Sequence, residues 1–535
     1  MRILFAGLHQ GYYRNLESVI EDLARRGHAI HLGHERPDSA IGGQAIVDRL
    51  AGRYPTITHG RIPEREPGLA FIASKVRLGY DYLRYLHPMY TAASGLRPRA
   101  EVRTPTGIVR LSRSRWLASR VTQRLLERCL DSIDRAVPAS PAIERFLDEQ
   151  RPDMVAITPL IGLGASSQID LLRSAQARGL RTAVLVWSWD HLSSKAVIRD
   201  VVDGLFVWNA AQKREAMEMH GVPEERIVVT GAQCFDHWFG RGPSRDRADF
   251  VRRAGLGDGR PYVLWVCSAL LPGSPPEPDL VLRWADHLRA SPDPRVRDAA
   301  ILIRPHPSRT ADWEAVDWRR PGNIAMFGDN PIDPDARDDY FDSVFHSAAV
   351  VGITTSAFIE AAIIDRPVMT IFFDQVRQEH EGSLHFQHLL TFAGGLVTPA
   401  ASLDEHERQL ASMIEGPPPA VLERQRRFVQ AFVRPHGLAV PATGVVADAL
   451  EKIGDSPAPA PHRGGSMAGK WGLRGVIALS RHPRGRLWLL DSREAVTAGR
   501  IQEKLRIRED ALARKQKQRD EKARRVARRR SVSRP

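Results

Sequence analysis

Apolar and polar positions along the chain follow a strand-helix rhythm. Ile3, Leu4, Phe5 and Ala6 run together ahead of Gly7, and Leu16, Val19, Ile20 and Leu23 then recur at spacings of three and four up to Arg25-Arg26-Gly27. Ala29 to Leu32 is apolar again. A short apolar run, an amphipathic helix and a second run predict a βαβ opening. Met154 to Ile157, Ala183 to Trp187, Gly204 to Val207 and Ile227 to Thr230 continue the series, with helical stretches between them. Continuous apolar runs are what strands buried on both faces require, so the pattern predicts a parallel, helix-covered sheet across residues 1–240.

Residues 66–150 break that rhythm with long helix-like stretches rich in Tyr, Arg and Leu, such as Lys75 to Leu86. They predict a helical insertion whose amphipathic faces pack internally; contact with an acceptor or a membrane surface is the alternative. After the polar stretch Gly240 to Arg247, new strands are predicted at Tyr262 to Cys267, Ala300 to Ile303, Val350 to Ile353 and Val368 to Phe372. They place a second domain at residues 255–453, within which Ala420 to Lys452 is a helical segment free to pack on either domain. Ser456 to Pro461 is Pro-Ala rich and marks a linker over 454–470, and residues 471–535 form a basic tail, partly helical or disordered. The fold class expected is α/β: two Rossmann-like parallel-sheet domains facing a cleft, with the helical insertion in the first.

Length and charge refine this picture. At 535 residues the chain exceeds what one core serves. Residues 500–535 hold 15 Lys or Arg against 5 Asp or Glu, so most of the formal net charge of +14 belongs to the tail and the body is close to balanced. Nucleic acid is therefore a disfavoured partner, whereas an anionic membrane surface would fit residues 499–535. Cys129, Cys234 and Cys267 are scattered and match neither a disulfide framework nor a zinc site, which fits a reducing, cytoplasmic setting, with peripheral attachment at an inner membrane face as an option. The first residues read as a strand rather than a secretion signal, and no apolar run approaches the roughly 18 residues of a membrane span.

In doubly wound sheets ligands bind beyond the carboxyl ends of strands, and four such ends carry chemistry. Ile301-Leu302-Ile303-Arg304-Pro305-His306-Pro307 ends an apolar strand in two X-Pro pairs that hold Arg304 and His306 extended and on one side, suiting a pyrophosphate. A structural turn with a surface Arg is the plain alternative. In Val350 to Ile364, Thr355 and Ser356 offer hydroxyls to an anion, and Glu360 is a carboxylate in an otherwise apolar helix that no capping box explains. Ribose hydroxyls or a salt bridge would satisfy it. Trp187-Ser188-Trp189-Asp190-His191 ends the strongest strand of the first domain: Asp190 or His191 could take a proton from an acceptor, and Lys195 could neutralise a phosphate. An Asp N-cap beside a surface Lys is the simpler account. Gly7 to Arg14 has two glycines but no G-x-G-x-x-G, which disfavours NAD, and His9 there is a candidate base. Asp329, Asp333, Asp335, Asp338, Asp339 and Asp342 cluster, but Pro331 and Pro334 break any calcium loop, so they are expected to form a solvated loop and helix start.

Taken together and in order, these residues resemble the GT-B glycosyltransferase-like superfamily, nearest to bacterial CDP-glycerol glycerophosphotransferase-like and capsule or surface-polysaccharide transferases. Trp189-Asp190-His191 with Lys195 stands where that group has a Trp-His-Gly-type base motif and a downstream Lys. Thr230 to Asp236 is similar to its Gly-x-x-x-x-Asp element, and Arg304 to Pro307 and Thr354 to Pro367 are similar to its Arg-Pro-His-Pro and Ser-turn-helix elements. Asp190-His191 departs from the His-Gly order, leaving either residue as the base. The resemblance implies transfer of a glycosyl or polyol-phosphate group from a nucleotide-sugar or CDP-polyol donor to a glycan or lipid-linked acceptor, with no cofactor and no metal. Catalysis would fall to Asp190, His191 and His9, and donor binding to Arg304, His306, Thr355, Ser356, Glu360 and Lys195. A UDP-N-acetylglucosamine 2-epimerase-like enzyme, to whose Thr-Gly element Val229 to Asp236 is similar, and a non-catalytic surface-glycan scaffold are the competing readings.

Overall fold

The structure is a computed structural model and describes residues 1–36, 42–162, 166–257, 259–270, 274–314, 316–376, 380, 382–462 and 464–494. The basic segment 499–535 lies outside them. In the first domain, β1 (Arg2–His9), α1 (Glu17–Arg25), β2 (Ala29–Arg36), α2 (Gly43–Arg53) and β3 (Ile57–Arg61) precede the insertion, whose longest helices are α3 (Pro67–Leu83) and α4 (Arg120–Arg135). The sheet then resumes with β4 (Met154–Thr158), β5 (Arg181–Leu185), β6 (Gly204–Val207), α5 (Ala210–His220) and β7 (Ile227–Val229). Seven parallel strands lie in the order β3-β2-β1-β4-β5-β6-β7. Alternate residues feed opposite cores: Leu4, Ala6, Val155 and Ile157 on one face, Ile3, Phe5, Met154 and Ala156 on the other. That is why these strands read as unbroken apolar runs.

The second domain repeats the design with β8 (Tyr262–Val266), β9 (Ala300–Arg304), β10 (Ile324–Met326), α6 (Pro334–Phe345), β11 (Ala349–Gly352), α7 (Ala357–Ile363), β12 (Val368–Ile371), α8 (Leu384–Thr391) and β13 (Thr398–Ala400). Its six strands run β10-β9-β8-β11-β12-β13, all parallel. In both sheets the strand order reverses once, between β1 and β4 and between β8 and β11, and those reversals are where a doubly wound sheet opens a crevice.

The segment 420–452, left free to pack on either domain, divides between them. α9 (Pro419–Phe432) lays Phe428 and Phe432 into the second domain's core, and α10 (Ala442–Asp455) returns to the first, burying Val446, Ala447 and Leu450 beside α1. Asp236 seats the crossing chain: it accepts from Arg434 Nη2 at 2.7 Å and from the Thr443 amide and hydroxyl, each at 2.7 Å. The Thr230–Asp236 element is thereby occupied in joining the domains. Two facing Rossmann-like domains with a returning C-terminal helix make this a GT-B-type fold.

Three expectations are refined. Residues 454–470 do not hang free: Arg181 Nε donates to the Ser456 carbonyl at 3.0 Å and the His462 amide to Gln176 at 2.9 Å. The start of the basic tail, expected to be partly helical or disordered, is helical as α11 (Met467–Ser480) and α12 (Pro483–Leu489) and is packed, with Leu473 and Leu490 joining the core of the insertion. The acidic cluster divides: Asp329, Asp333 and Asp335 are exposed and Asp333 caps α6, the solvated loop and helix start expected, whereas Asp342 is fully buried, accepting from the Ser244 amide at 2.8 Å and hydroxyl at 2.6 Å, and Asp339 pairs with Arg253 at 2.8 Å. These last two clamp the interdomain connector to α6.

The insertion is fixed by charge as well as packing. Arg77 on α3 is buried between Asp134 at 2.8 Å and Asp170 at 2.6 Å, and Arg65 donates to Asp170 at 2.9 Å. Three cations near Asp134 hold its carboxyl well below the usual range despite burial.

Candidate functional site

On the second domain, the site is built around the reversal between β8 and β11. Glu277 is buried and accepts from Trp265 Nε1 at 3.1 Å and the Ser268 amide at 2.7 Å, fixing the turn after β8. Ser268 Oγ in turn accepts the Thr354 amide at 3.2 Å, tying that turn to the one after β11. Arg304, ending β9 beside them, is buried; its Nη2 donates to the Asp329 carbonyl at 2.6 Å, its guanidinium lies 4.5 Å from the Tyr340 ring centroid, and Nη1 has no protein partner. Burial lowers its pKa, partly offset by Tyr340 and Glu360, but a guanidinium stays protonated at neutral pH. A buried, half-satisfied cation is costly unless an anion joins it.

His306 is half-buried. Its Nδ1 accepts from the Ser308 amide at 3.2 Å and lies 2.8 Å from the Ser308 hydroxyl. Burial lowers its pKa, so the ring is neutral at pH 7 with the remaining proton on Nε2, a donor. The two residues expected to share a side therefore differ in kind, one a buried cation and the other a neutral donor nearer solvent. Thr355 is partly committed, since Oγ1 accepts the Ala357 amide at 3.3 Å, whereas Ser356, exposed at the start of α7, makes no capping bond.

Glu360 was left between a ribose contact and a salt bridge; it receives the Tyr340 hydroxyl, and its charge faces Arg14 and Arg304. Desolvation raises its pKa, with Tyr340 and the two arginines pulling the other way. Arg14 was missed. It projects from the 3₁₀ turn Gln10–Asn15 of the first domain and acts electrostatically on Glu360, Tyr340, Cys234 and His306. Only the facing of the domains brings it there: Glu17 and Arg337 pair at 3.4 Å across the junction, and Gly42 packs against Ile332.

The first-domain wall is aromatic. His9 ends β1, which runs past Gly7 rather than turning at it; its ring lies 4.1 Å from Tyr12, Tyr12 lies 5.1 Å from Trp187, and Trp187 lies 4.7 Å from His191. Two candidates chosen from separate motifs thus flank one row of rings. His191 is 3% exposed, its Nδ1 has no partner, and burial takes its pKa down to about 4. His9 is half-buried.

Asp190 and Lys195 need correcting. Asp190 caps no backbone amide; its oxygens accept from Ser188 Oγ at 2.6 Å, Ser194 Oγ at 3.1 Å and Lys195 Nζ at 2.8 Å. Lys195 beside it, with His385 and His191 adding to the effect, holds this carboxyl well below its ordinary range in spite of burial, which makes it a poor proton acceptor. Lys195 belongs to the first domain and is paired with Asp190, and its charge also acts on His385 of the second domain. His385 of α8, a second residue the sequence did not signal, rests its ring 4.9 Å from Trp189. The insertion braces the same turn: Arg84 donates to the carbonyls of Leu192 and Lys195, each at 2.8 Å.

No family model matches the chain, and no curated protein matches it. Solved structures do. A glycosyltransferase from Rickettsia africae is similar at 10% identity, over 85% of this chain and 99% of that one, with a TM-score of 0.48. A UDP-GlcNAc 2-epimerase from Neisseria meningitidis, crystallised with UDP-GlcNAc, is similar at 10% identity, over 84% and 100%, with a TM-score of 0.44. WaaG, a glycosyltransferase of lipopolysaccharide biosynthesis, is similar at 10% identity, over 85% and 100%, with a TM-score of 0.43.

Proposed function

We propose that the chain is a GT-B-type transferase that binds a nucleotide-activated donor against the second domain and passes its glycosyl or polyol-phosphate group to an acceptor held against the first. The observation that carries this is Arg304: a buried guanidinium at a strand end, with Nη1 unpartnered, at the crevice where a doubly wound sheet binds ligands. Arg304, the Nε2–H of His306 and Arg14 would surround a diphosphate, and Ser356 would add a hydroxyl. Glu360 is the carboxylate nearest that site and would meet ribose hydroxyls.

In the reaction the acceptor oxygen forms a bond to the donor's anomeric carbon, or to phosphorus for a polyol phosphate, as the bond to the leaving nucleotide phosphate oxygen breaks. Charge growing on the leaving phosphate is met by the same cations. The acceptor's proton passes to His9, which is more open than His191, whereas the pairing with Lys195 keeps Asp190 a poor acceptor. A divalent metal and a cofactor have no assigned part in this proposal.

Calorimetry with UDP, GDP and CDP tests it. One of the three is expected to bind, and His306→Ala and Arg304→Ala are each expected to weaken it roughly tenfold or more, the worth of one charge-assisted contact. Equal affinity in Arg304→Ala would remove the donor site from this crevice.

A further inference from the structure

We infer that the outer face of the helical insertion, together with α11 and α12, is a docking surface for an anionic lipid bilayer. The observation is a concentration of exposed apolar side chains in one module. Val121, Leu125, Met467, Trp471, Leu479 and Leu487 are each more than half exposed. Elsewhere among the described residues, Val201, Met217, Leu438 and Val440 are the other large apolar side chains left open beyond this module. Scattered single residues of that kind need no account, whereas a clustered set does.

The helices are built to present them. α11 lies against α4 through its small residues: a Cβ on Gly469 would collide with the Ser132 carbonyl and one on Gly472 with Ile133, and Leu473 is buried alongside. The opposite face carries Met467, Trp471, Ala478 and Leu479 outward, and α4 turns Val121 and Leu125 outward in the same way. α12 then follows α11 and packs on the helix Thr106–Ser112, with Trp488 over Gly107. Both exposed faces therefore belong to one continuous body.

Charge selects the occupant. Residues 110–126 hold five arginines and no acidic residue, and residues 466–490 hold five Lys or Arg and none. Most of these cations are exposed beside the apolar positions, as Arg124 is beside Leu125 and Lys470 beside Trp471. Apolar side chains that can sink to the acyl boundary, ringed by cations that can reach lipid phosphates, are the signature of a helix lying in a membrane interface. Phosphate-rich nucleic acid would use the cations and leave Trp471, Leu479 and Val121 in water. No helix among the described residues is long and apolar enough to cross a membrane, so the face rests on the bilayer. The expectation assigns lipid contact to residues 499–535, which lie outside the described residues, and holds it as the alternative for the insertion; this surface is built from the insertion with α11 and α12. The same insertion holds the Asp190–Lys195 turn of the first-domain wall through Arg84.

Sedimentation of the full chain with vesicles tests the inference. The chain is expected to pellet with vesicles containing phosphatidylglycerol and to stay in solution with pure phosphatidylcholine. Trp471→Glu with Leu479→Glu, and separately Val121→Glu with Leu125→Glu, are expected to lower the partition coefficient at least tenfold with the melting temperature and nucleotide affinity unchanged. Binding that survives both pairs would move the contact to residues 495–535 and overturn the inference. So would equal binding to neutral vesicles, failure of the unaltered chain to pellet, or a dimer in sedimentation velocity that either pair dissolves, which would make the occupant a second copy.

Discussion

Arg304 reaches its place over Tyr340 with one nitrogen on the Asp329 carbonyl, and Gly328 is why it fits. Gly328 has φ of +109°, and a Cβ there would collide with Nη1. Gly328→Ala is therefore expected to displace the guanidinium, costing about 1–3 kcal/mol in strain and lowering nucleoside diphosphate affinity as Arg304→Ala does; thermal unfolding and calorimetry check the two halves. Asp190 offers a contrasting expectation. As the acceptor for Lys195 and two hydroxyls, it positions the turn, so Asp190→Asn is expected to cost on the order of 2 kcal/mol and leave the acid limb of the activity–pH profile where it was. His9→Ala is expected to lower kcat about a hundredfold or more at neutral pH with nucleotide affinity retained, read from steady-state kinetics and calorimetry. At this scale the sequence was most informative where a strand ended in a stiff motif: Arg304 ends β9 with His306 two residues on, and Glu360, read from the apolar pattern of α7, turns its charge toward Arg304. It missed Arg14, which closes the Gly7 to Arg14 stretch without a role of its own there, and Tyr340, which stands in no motif. Arg14 gains its role from the opposite domain, and Tyr340 was hidden among aspartates that drew attention as a group.

Strands in the middle of each sheet could be read directly, since two covered faces demand continuous apolar runs. β3, β10 and β13 could not. Each is an edge strand with one neighbour, and their burial is partial, so Ile57–Arg61 and Thr398–Ala400 carry polar residues, Gly or Pro and no apolar run. The same limit hid the junction between the insertion and the C-terminal helices, which lie more than 300 residues apart in sequence. Glycines are weak helix positions, yet along α11 they are what lets it approach α4. Gly469→Val is expected to lift α11 and expose the segment 456–466 to limited proteolysis, while nucleotide affinity holds. Arg77 sets how firmly the insertion itself is held: Arg77→Ala leaves Asp134 to Arg173 and Arg199 and Asp170 to Arg65, each with one buried partner fewer, and is expected to cost about 1–3 kcal/mol, read from denaturant unfolding.

Across the whole molecule, burial of neutral histidines dominates the response to acid. Desolvation takes His31, His191, His237, His380 and His385 down to about 4, and His220 and His406 to about 3. An unfolded chain binds those protons near pH 6.5, so between that pH and about 4 the unfolded state holds more protons than the folded one. Stability then rises with pH through this window: the contribution is complete above the unfolded value and is lost as pH falls toward the folded values. The melting temperature is expected to drop steeply from pH 6.5 to 4.5 and to flatten above 7. His406 isolates the cause, because it is fully buried near Trp284, far in sequence from every cleft residue, and neither ring nitrogen has a partner. Replacing it with Phe keeps an aromatic ring in that core and removes one proton-binding group from the unfolded chain's advantage. His406→Phe is therefore expected to lose less melting temperature than the unaltered protein between pH 7 and 5, with nucleotide affinity unchanged at pH 7. An identical acid slope in the two proteins would mean that His406 takes up its proton without unfolding, and that the acid response is set elsewhere.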